Sequence, residues 1–257
     1  MGAQIRCGTH RLSGRERFEP AESSGEIALA GGDFWRMGGG MDAPLLPHLE
    51  FGASRDDAEL CVLLMHGLGA DGYDFADVAR VWSEAALPRK WRFVLPHAPD
   101  LEVTINLGAR MPAWYDILDL SQPRAVNWDH VAASQARIEA LLENEPAKKI
   151  VLAGFSQGGA MALQVGLRRQ ESIAGILVMS GYLLADDEHP TPAKAADAPI
   201  GSFHGSDDPV VPLLAAEQAK DALEAAQFSP TSKVYPGMPH AVCEEEIRDA
   251  FAWLENV

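Results

Sequence analysis

The stretch KKIVLAGFSQGGAMAL, Lys148 to Leu163, decides how this chain folds. An apolar run, Ile150 to Ala153, meets Gly154-Phe155-Ser156-Gln157-Gly158, and a helix pattern rich in small residues follows at once. That is G-x-S-x-G set between a strand and a helix. A sharp strand-to-helix turn forces the serine into a strained backbone conformation, and only residues without a Cβ fit beside it. The turn lifts the Ser156 hydroxyl above the sheet, where the free N–H groups of the new helix also point. A glycine-rich turn whose serine merely caps the helix is the competing interpretation. The flanking strand and helix favour an exposed nucleophile.

Working outward, the chain has 257 residues, 47% of them apolar, which suits one α/β domain with a sizeable core. The net charge of −16 argues against nucleic acid or an anionic membrane as partner. Cys7, Cys61 and Cys243 lie far apart with no metal-ligand spacing, and so sparse a set predicts a reducing, cytoplasmic compartment. No apolar run approaches the roughly 20 residues that span a bilayer, and no apolar h-region follows the N-terminal arginines. Stable membrane insertion is therefore not expected. A monomer or homodimer is.

Residues 1–40 differ from the rest. They hold five arginines and five acidic residues, so the whole −16 falls in 41–257. They also carry nine of the 23 glycines and show no lasting hydrophobic period. The sequence predicts a disordered extension here, or sequence upstream of a true start at Met41, and a folded domain over 41–257.

Within that domain strands and helices alternate. Leu60 to Met65 (LCVLLM) predicts a strand buried on both faces. A glycine-dense loop, His66 to Gly72, leads into a helix from Tyr73 to Ala86, then a strand from Trp91 to Leu95. Asp100 to Arg124 reads as one long irregular loop, of the kind that carries function in compact domains. Helices are predicted over Val126–Glu145, Val211–Gln227 and Glu244–Leu254. Strands are predicted over Ala174–Met179, Pro199–His204 and Ser232–Tyr235, with a polar, proline-bearing loop at Leu184–Ala198. The alternation implies a single α/β domain, its mostly parallel sheet covered by helices on both faces.

A serine becomes a nucleophile only when a base takes its proton and an acid holds that base in one tautomer. On a strand–turn–helix serine, the acid and then the base follow in the chain. His204-Gly205-Ser206-Asp207-Asp208-Pro209 offers two aspartates at one strand end, and Tyr235-Pro236-Gly237-Met238-Pro239-His240 offers a histidine at the next. Both fall at the carboxyl edge of a parallel sheet, where open α/β folds place their sites. Singly, Asp208 reads as a turn residue and His240 as a surface histidine; their order argues otherwise. Asp208 is preferred to Asp207 because Pro209 restricts it to an extended conformation. His66 and His97 precede the serine, and His66 is expected to hold its own loop together. An oxyanion hole needs two backbone donors, for which Gln157 and Leu68 are the candidates.

HGLGADGYDF, MPAWYD, GFSQGGAMAL, HGSDDPVVP and PHAVCEEEI, in this order, resemble the carboxylesterase and acyl-protein thioesterase (phospholipase/carboxylesterase) family of α/β-hydrolases. The resemblance covers Leu49 to Leu254. It implies an α/β-hydrolase fold with Ser156 as nucleophile, Asp208 as acid and His240 as base. It also implies Leu68 and Gln157 as oxyanion donors, with neither metal nor organic cofactor. The substrate would be a small acyl ester or thioester, and the stretch from Asn106 to Asp116 would cover the acyl site. Met111 and Trp114 are on that basis expected to line the acyl pocket. Pro239 departs from the glycine found there in many relatives. A dienelactone hydrolase-like lactonase is the alternative enzyme, although such proteins usually carry cysteine at the elbow. A non-catalytic binding protein of the same fold is the alternative outside enzymes.

Overall fold

A strand that is apolar at every position must be covered on both faces, and the sheet is built around one. The computed structural model describes residues 45–257 apart from 88, 122, 170 and 193–197. The extension expected over residues 1–40 lies outside the described residues. In chain order come β1 (His48–Gly52), β2 (Leu60–Met65), a 3-10 turn (Gly72–Phe75), α1 (Ala76–Ala85) and β3 (Trp91–Pro96). Then follow β4 (Asp100–Val103), β5 (Ala109–Pro112), β6 (Ile117–Asp119), β7 (Ala125–Val126), α2 (Trp128–Glu143), β8 (Lys149–Phe155) and α3 (Gln157–Arg168). The chain finishes through β9 (Gly175–Met179), β10 (Ile200–Gly205), α4 (Leu213–Ala225), β11 (Thr231–Tyr235) and α5 (Glu244–Leu254).

Seven of the strands make one sheet in the order β1-β3-β2-β8-β9-β10-β11, parallel throughout except for β1, which runs antiparallel to β3. All six residues of β2 are buried, and alternate side chains serve opposite faces. Leu60, Val62 and Leu64 join an apolar cluster with Val78 and Trp82 of α1 and Ala250 and Leu254 of α5. Cys61, Leu63 and Met65 join another with Val131 and Ile138 of α2, Met161 of α3, and Ala215 and Leu223 of α4. Each large side chain buried this way stabilises the fold by about 1.5–3 kcal/mol. The expected α/β-hydrolase architecture is therefore present, with helices on both faces of a mostly parallel sheet.

Four local features differ from the sequence-based expectation, the first being that Val126, expected to open a helix, pairs in β7, so that α2 spans Trp128–Glu143. The strand β1 was not predicted: HLEFG is a short edge strand with only partial burial, so it carries no long apolar run. The stretch from Asp100 to Arg124 is not one irregular loop. It contains the hairpin β4–β5 and most of the pair β6–β7. These strands have two to four residues and are largely exposed, so backbone pairing rather than a buried face defines them. The α4 helix starts at Leu213, after Pro212, rather than at Val211. The backbone N–H of Val211 is committed instead to the Asp208 carboxylate.

Candidate active site

The registry of β2 against β8 pairs Met65 with Gly154, so the loops leaving both strands start side by side. Ser156 occupies the turn at φ +54°, ψ −117°, a region that a residue with a Cβ enters only when its surroundings enforce it. The enforcement is close packing. A Cβ on Gly154 would lie 2.3 Å from the Gly158 backbone, and one on Gly158 would lie 2.2 Å from the Met65 carbonyl oxygen. Neither glycine can be replaced without displacing backbone.

The carboxyl ends of β10 and β11 bring two further groups to this serine. His240 Nε2 lies 3.0 Å from Ser156 Oγ, and His240 Nδ1 lies 2.6 Å from Asp208 Oδ2. The other carboxylate oxygen of Asp208 accepts the backbone N–H groups of Val210 and Val211 at 2.9 and 2.8 Å. Burial alone would raise this carboxyl; the hydrogen bond from His240 and those two N–H groups hold it below the ordinary carboxylate range. Asp207 is exposed, and among the described residues its carboxylate accepts only the neighbouring Ser206 hydroxyl. Of the two adjacent aspartates, Asp208 is the one in reach of the imidazole. The His240 ring packs on Phe155 with centroids 4.7 Å apart, which limits how far it can swing.

The His66 loop stands over the same hydroxyl. A Cβ built on Gly67 would lie 3.4 Å from the Ser156 Cβ, so the loop passes in van der Waals range of the serine. Gly69 and Ala70 donate their N–H groups to the carbonyls of Pro112 and Gly67. The N–H groups of Leu68 and Gln157 meet no acceptor among the described residues. His66 is buried and neutral: burial pulls its pKa down to about 4, despite the hydrogen bond to the Gly67 carbonyl. Its Nε2 accepts the Ala98 N–H, which leaves the proton on Nδ1 to donate to Gly67 O. It holds the loop.

His204, on β10, is also buried with a lowered pKa, again from burial first. Its Nε2 donates to the Val211 carbonyl at 2.8 Å and lies 3.6 Å from Asp208 Oδ2. It backs the acid from behind, a contact that residue order alone did not reveal.

Trp114 is a correction. Expected on the acyl pocket wall, it is 0% exposed, with its indole N–H donated to the His66 carbonyl at 2.9 Å. Its ring lies 5.3 Å from that of His66. A tryptophan in a proline-bearing loop gives no sign of which way it faces, and here it faces inward. Met111 is half-buried on β5, its sulfur 3.1 Å from Asn106 Nδ2.

A strained serine after a central strand, with an imidazole and a carboxylate supplied from later strand ends, defines the α/β-hydrolase class. The comparisons with known proteins narrow it. Residues 47–257 match the signature of the Phospholipase/Carboxylesterase family, so the chain belongs to that family and is an ester/thioester hydrolase. It is similar to acyl-protein thioesterase 1 of Gibberella zeae, at 34% identity over 76% of this chain and 89% of the relative. Acyl-protein thioesterase 1 of Neurospora crassa is 36% identical over 72% of this chain and 82% of that one. The crystal structure of Zea mays acyl-protein thioesterase 2 superposes with a TM-score of 0.68 at 26% identity, covering 82% of this chain and 98% of that one. No helix among the described residues is long and apolar enough to cross a membrane.

Proposed function

We propose that Ser156, His240 and Asp208 act as a catalytic triad that hydrolyses short-to-medium acyl esters or thioesters through an acyl-enzyme. The observation that carries this is the single imidazole hydrogen-bonded at once to Ser156 Oγ and Asp208 Oδ2. Asp208 holds the proton on Nδ1, leaving Nε2 free to take the serine proton. As Oγ attacks the acyl carbonyl, that proton passes to Nε2 and negative charge develops on the carbonyl oxygen. The N–H groups of Leu68 and Gln157 are assigned to receive it. Collapse of the tetrahedral intermediate breaks the bond to the alcohol or thiol, which leaves with the proton from Nε2. Water then attacks the acyl-serine with the same base, releasing the acid. Met111, half-buried on the β4–β5 hairpin, is retained as an acyl-contacting residue. Cys61 and Cys243 are free thiols, which favours a reducing, cytoplasmic setting.

Rapid mixing with a nitrophenyl ester is expected to give a burst of nitrophenol, followed by slower turnover. Ser156→Ala should abolish the burst and lower kcat by about 10⁶. A burst that survives in this variant would overturn the assignment.

A further inference from the structure

The two candidate oxyanion donors sit on different parts of the chain, Leu68 after β2 and Gln157 after β8. Their spacing has to be fixed by something. Two hydrogen bonds run between them, and both belong to Trp114. Its backbone N–H donates to Gln157 Oε1 at 2.8 Å, and its indole N–H donates to His66 O at 2.9 Å. The Gln157 amide nitrogen donates in turn to the Tyr115 carbonyl at 2.8 Å, so the amide orientation follows from its partners. The circuit therefore runs from Gln157 through its own side chain to Trp114, then to His66 and on to Leu68. Trp114 and Gln157 are each at most 1% exposed, so water cannot compete for these bonds.

The last link is a peptide plane. The carbonyl of Gly67 and the N–H of Leu68 belong to one planar unit and point in opposite directions. Gly67 O is held by His66 Nδ1 at 2.8 Å and by the Ala70 N–H at 3.2 Å. With that oxygen fixed, the Leu68 N–H is aimed.

We propose that Trp114 is a positioning residue, which sets the distance and angle between the Leu68 and Gln157 N–H groups through its two N–H donors. This rests on the assignment of those groups as the oxyanion hole. Trp114 never touches substrate. Its contribution is felt only where charge develops on the carbonyl oxygen, so kcat depends on it and substrate binding does not.

The test uses the full chain, an ester substrate and a trifluoromethyl ketone bearing the same acyl chain. The ketone forms the tetrahedral adduct: Ser156 Oγ bonds to the carbonyl carbon, and the serine proton moves to His240 Nε2. Trp114→Phe keeps a buried ring and loses the indole N–H. It should lower kcat and the ketone's affinity together, by about 10–100-fold, with KM within about twofold of wild type. Gln157→Met keeps its backbone N–H but removes the side-chain link, and should do the same; it carries the test if Trp114→Phe does not fold. Ser134→Ala removes a buried hydrogen bond to the Trp114 carbonyl outside the circuit. It should lower the melting temperature and leave kcat within about twofold. Wild-type kcat and ketone affinity in both circuit variants would overturn the proposal and leave the triad untouched. Equal losses in Ser134→Ala would assign the effect to destabilisation and also overturn it. A wild-type protein that binds the ketone no better than the ester would overturn the oxyanion assignment itself, and this proposal with it.

Discussion

The loop after β10 and the inner face of α5 each hide a carboxyl group, and the two are in opposite states. Asp208 has its side chain fully shielded, yet it meets His240 and two backbone N–H groups and is held ionised. Glu246 is 0% exposed, and among the described residues neither of its carboxyl oxygens makes a hydrogen bond of good geometry. Burial raises its pKa to about 8, with the charges of Asp208 and Asp249 adding to the effect and the Cys243 N–H opposing it. Burial does not decide whether a carboxyl carries charge. The donors it finds do. Asp208 is a carboxylate because His240 and two backbone N–H groups donate to it, and Glu246 is a neutral acid because the Cys243 N–H does not offset its burial.

The largest effect should come from breaking the ionised side of this contrast. Asp208→Asn should leave the fold intact and lower kcat on the order of 10⁴, because the amide presents the wrong partner to His240 Nδ1. Asp207→Asn should change kcat less than about tenfold, since its carboxylate accepts the Ser206 hydroxyl and does not reach His240. Steady-state kinetics of the two variants side by side checks the assignment, and reversed losses would reject it.

The neutral side predicts a pH effect on stability. In the folded chain Glu246 keeps its proton up to about pH 8, whereas unfolded it releases it near the ordinary carboxylate value of 4.5. Between those values the folded state binds more protons, so stability falls as pH rises. The contribution is whole below about 4.5 and lost as pH climbs through 8. Glu246→Gln should remove this slope, which is on the order of 1 kcal/mol per pH unit. Urea unfolding at several values between pH 5 and 8 measures it, and parallel profiles for wild type and variant would show that Glu246 is already ionised. The smallest effect should be on catalysis: kcat of Glu246→Gln at pH 7 should match wild type within about threefold, since both side chains are neutral there.

The same contrast explains how much was legible in the sequence. Asp208 could be singled out because Pro209 restricts its backbone and because its place between Ser156 and His240 fits one chemistry. The ends of β2 and α5 matched expectation residue for residue, since a run such as LCVLLM or a capped amphipathic helix carries its own boundaries. Glu246 is inconspicuous in a run of three glutamates, although it shares a helix face with the buried Ala250 and Leu254 at spacings of four. That spacing was the available signal. The strands β4 to β7 were hidden because backbone pairing leaves little trace in exposed four-residue segments. The place of Trp114 is illegible for a different reason. An aromatic residue suits a pocket wall and a core equally, and only the neighbours of its two N–H groups, His66 and Gln157, distinguish them.

The central claim is that Ser156 is the nucleophile and that His240 and Asp208 make it one. A fluorophosphonate tests this most directly: Oγ bonds to phosphorus and fluoride leaves, which requires the activated serine. Mass spectrometry of the labelled full chain should place one adduct on the peptide containing Ser156. Labelling should be lost in Ser156→Ala and slowed by orders of magnitude in Asp208→Asn. An adduct on another residue, or undiminished labelling of Ser156→Ala with turnover retained, would contradict the account.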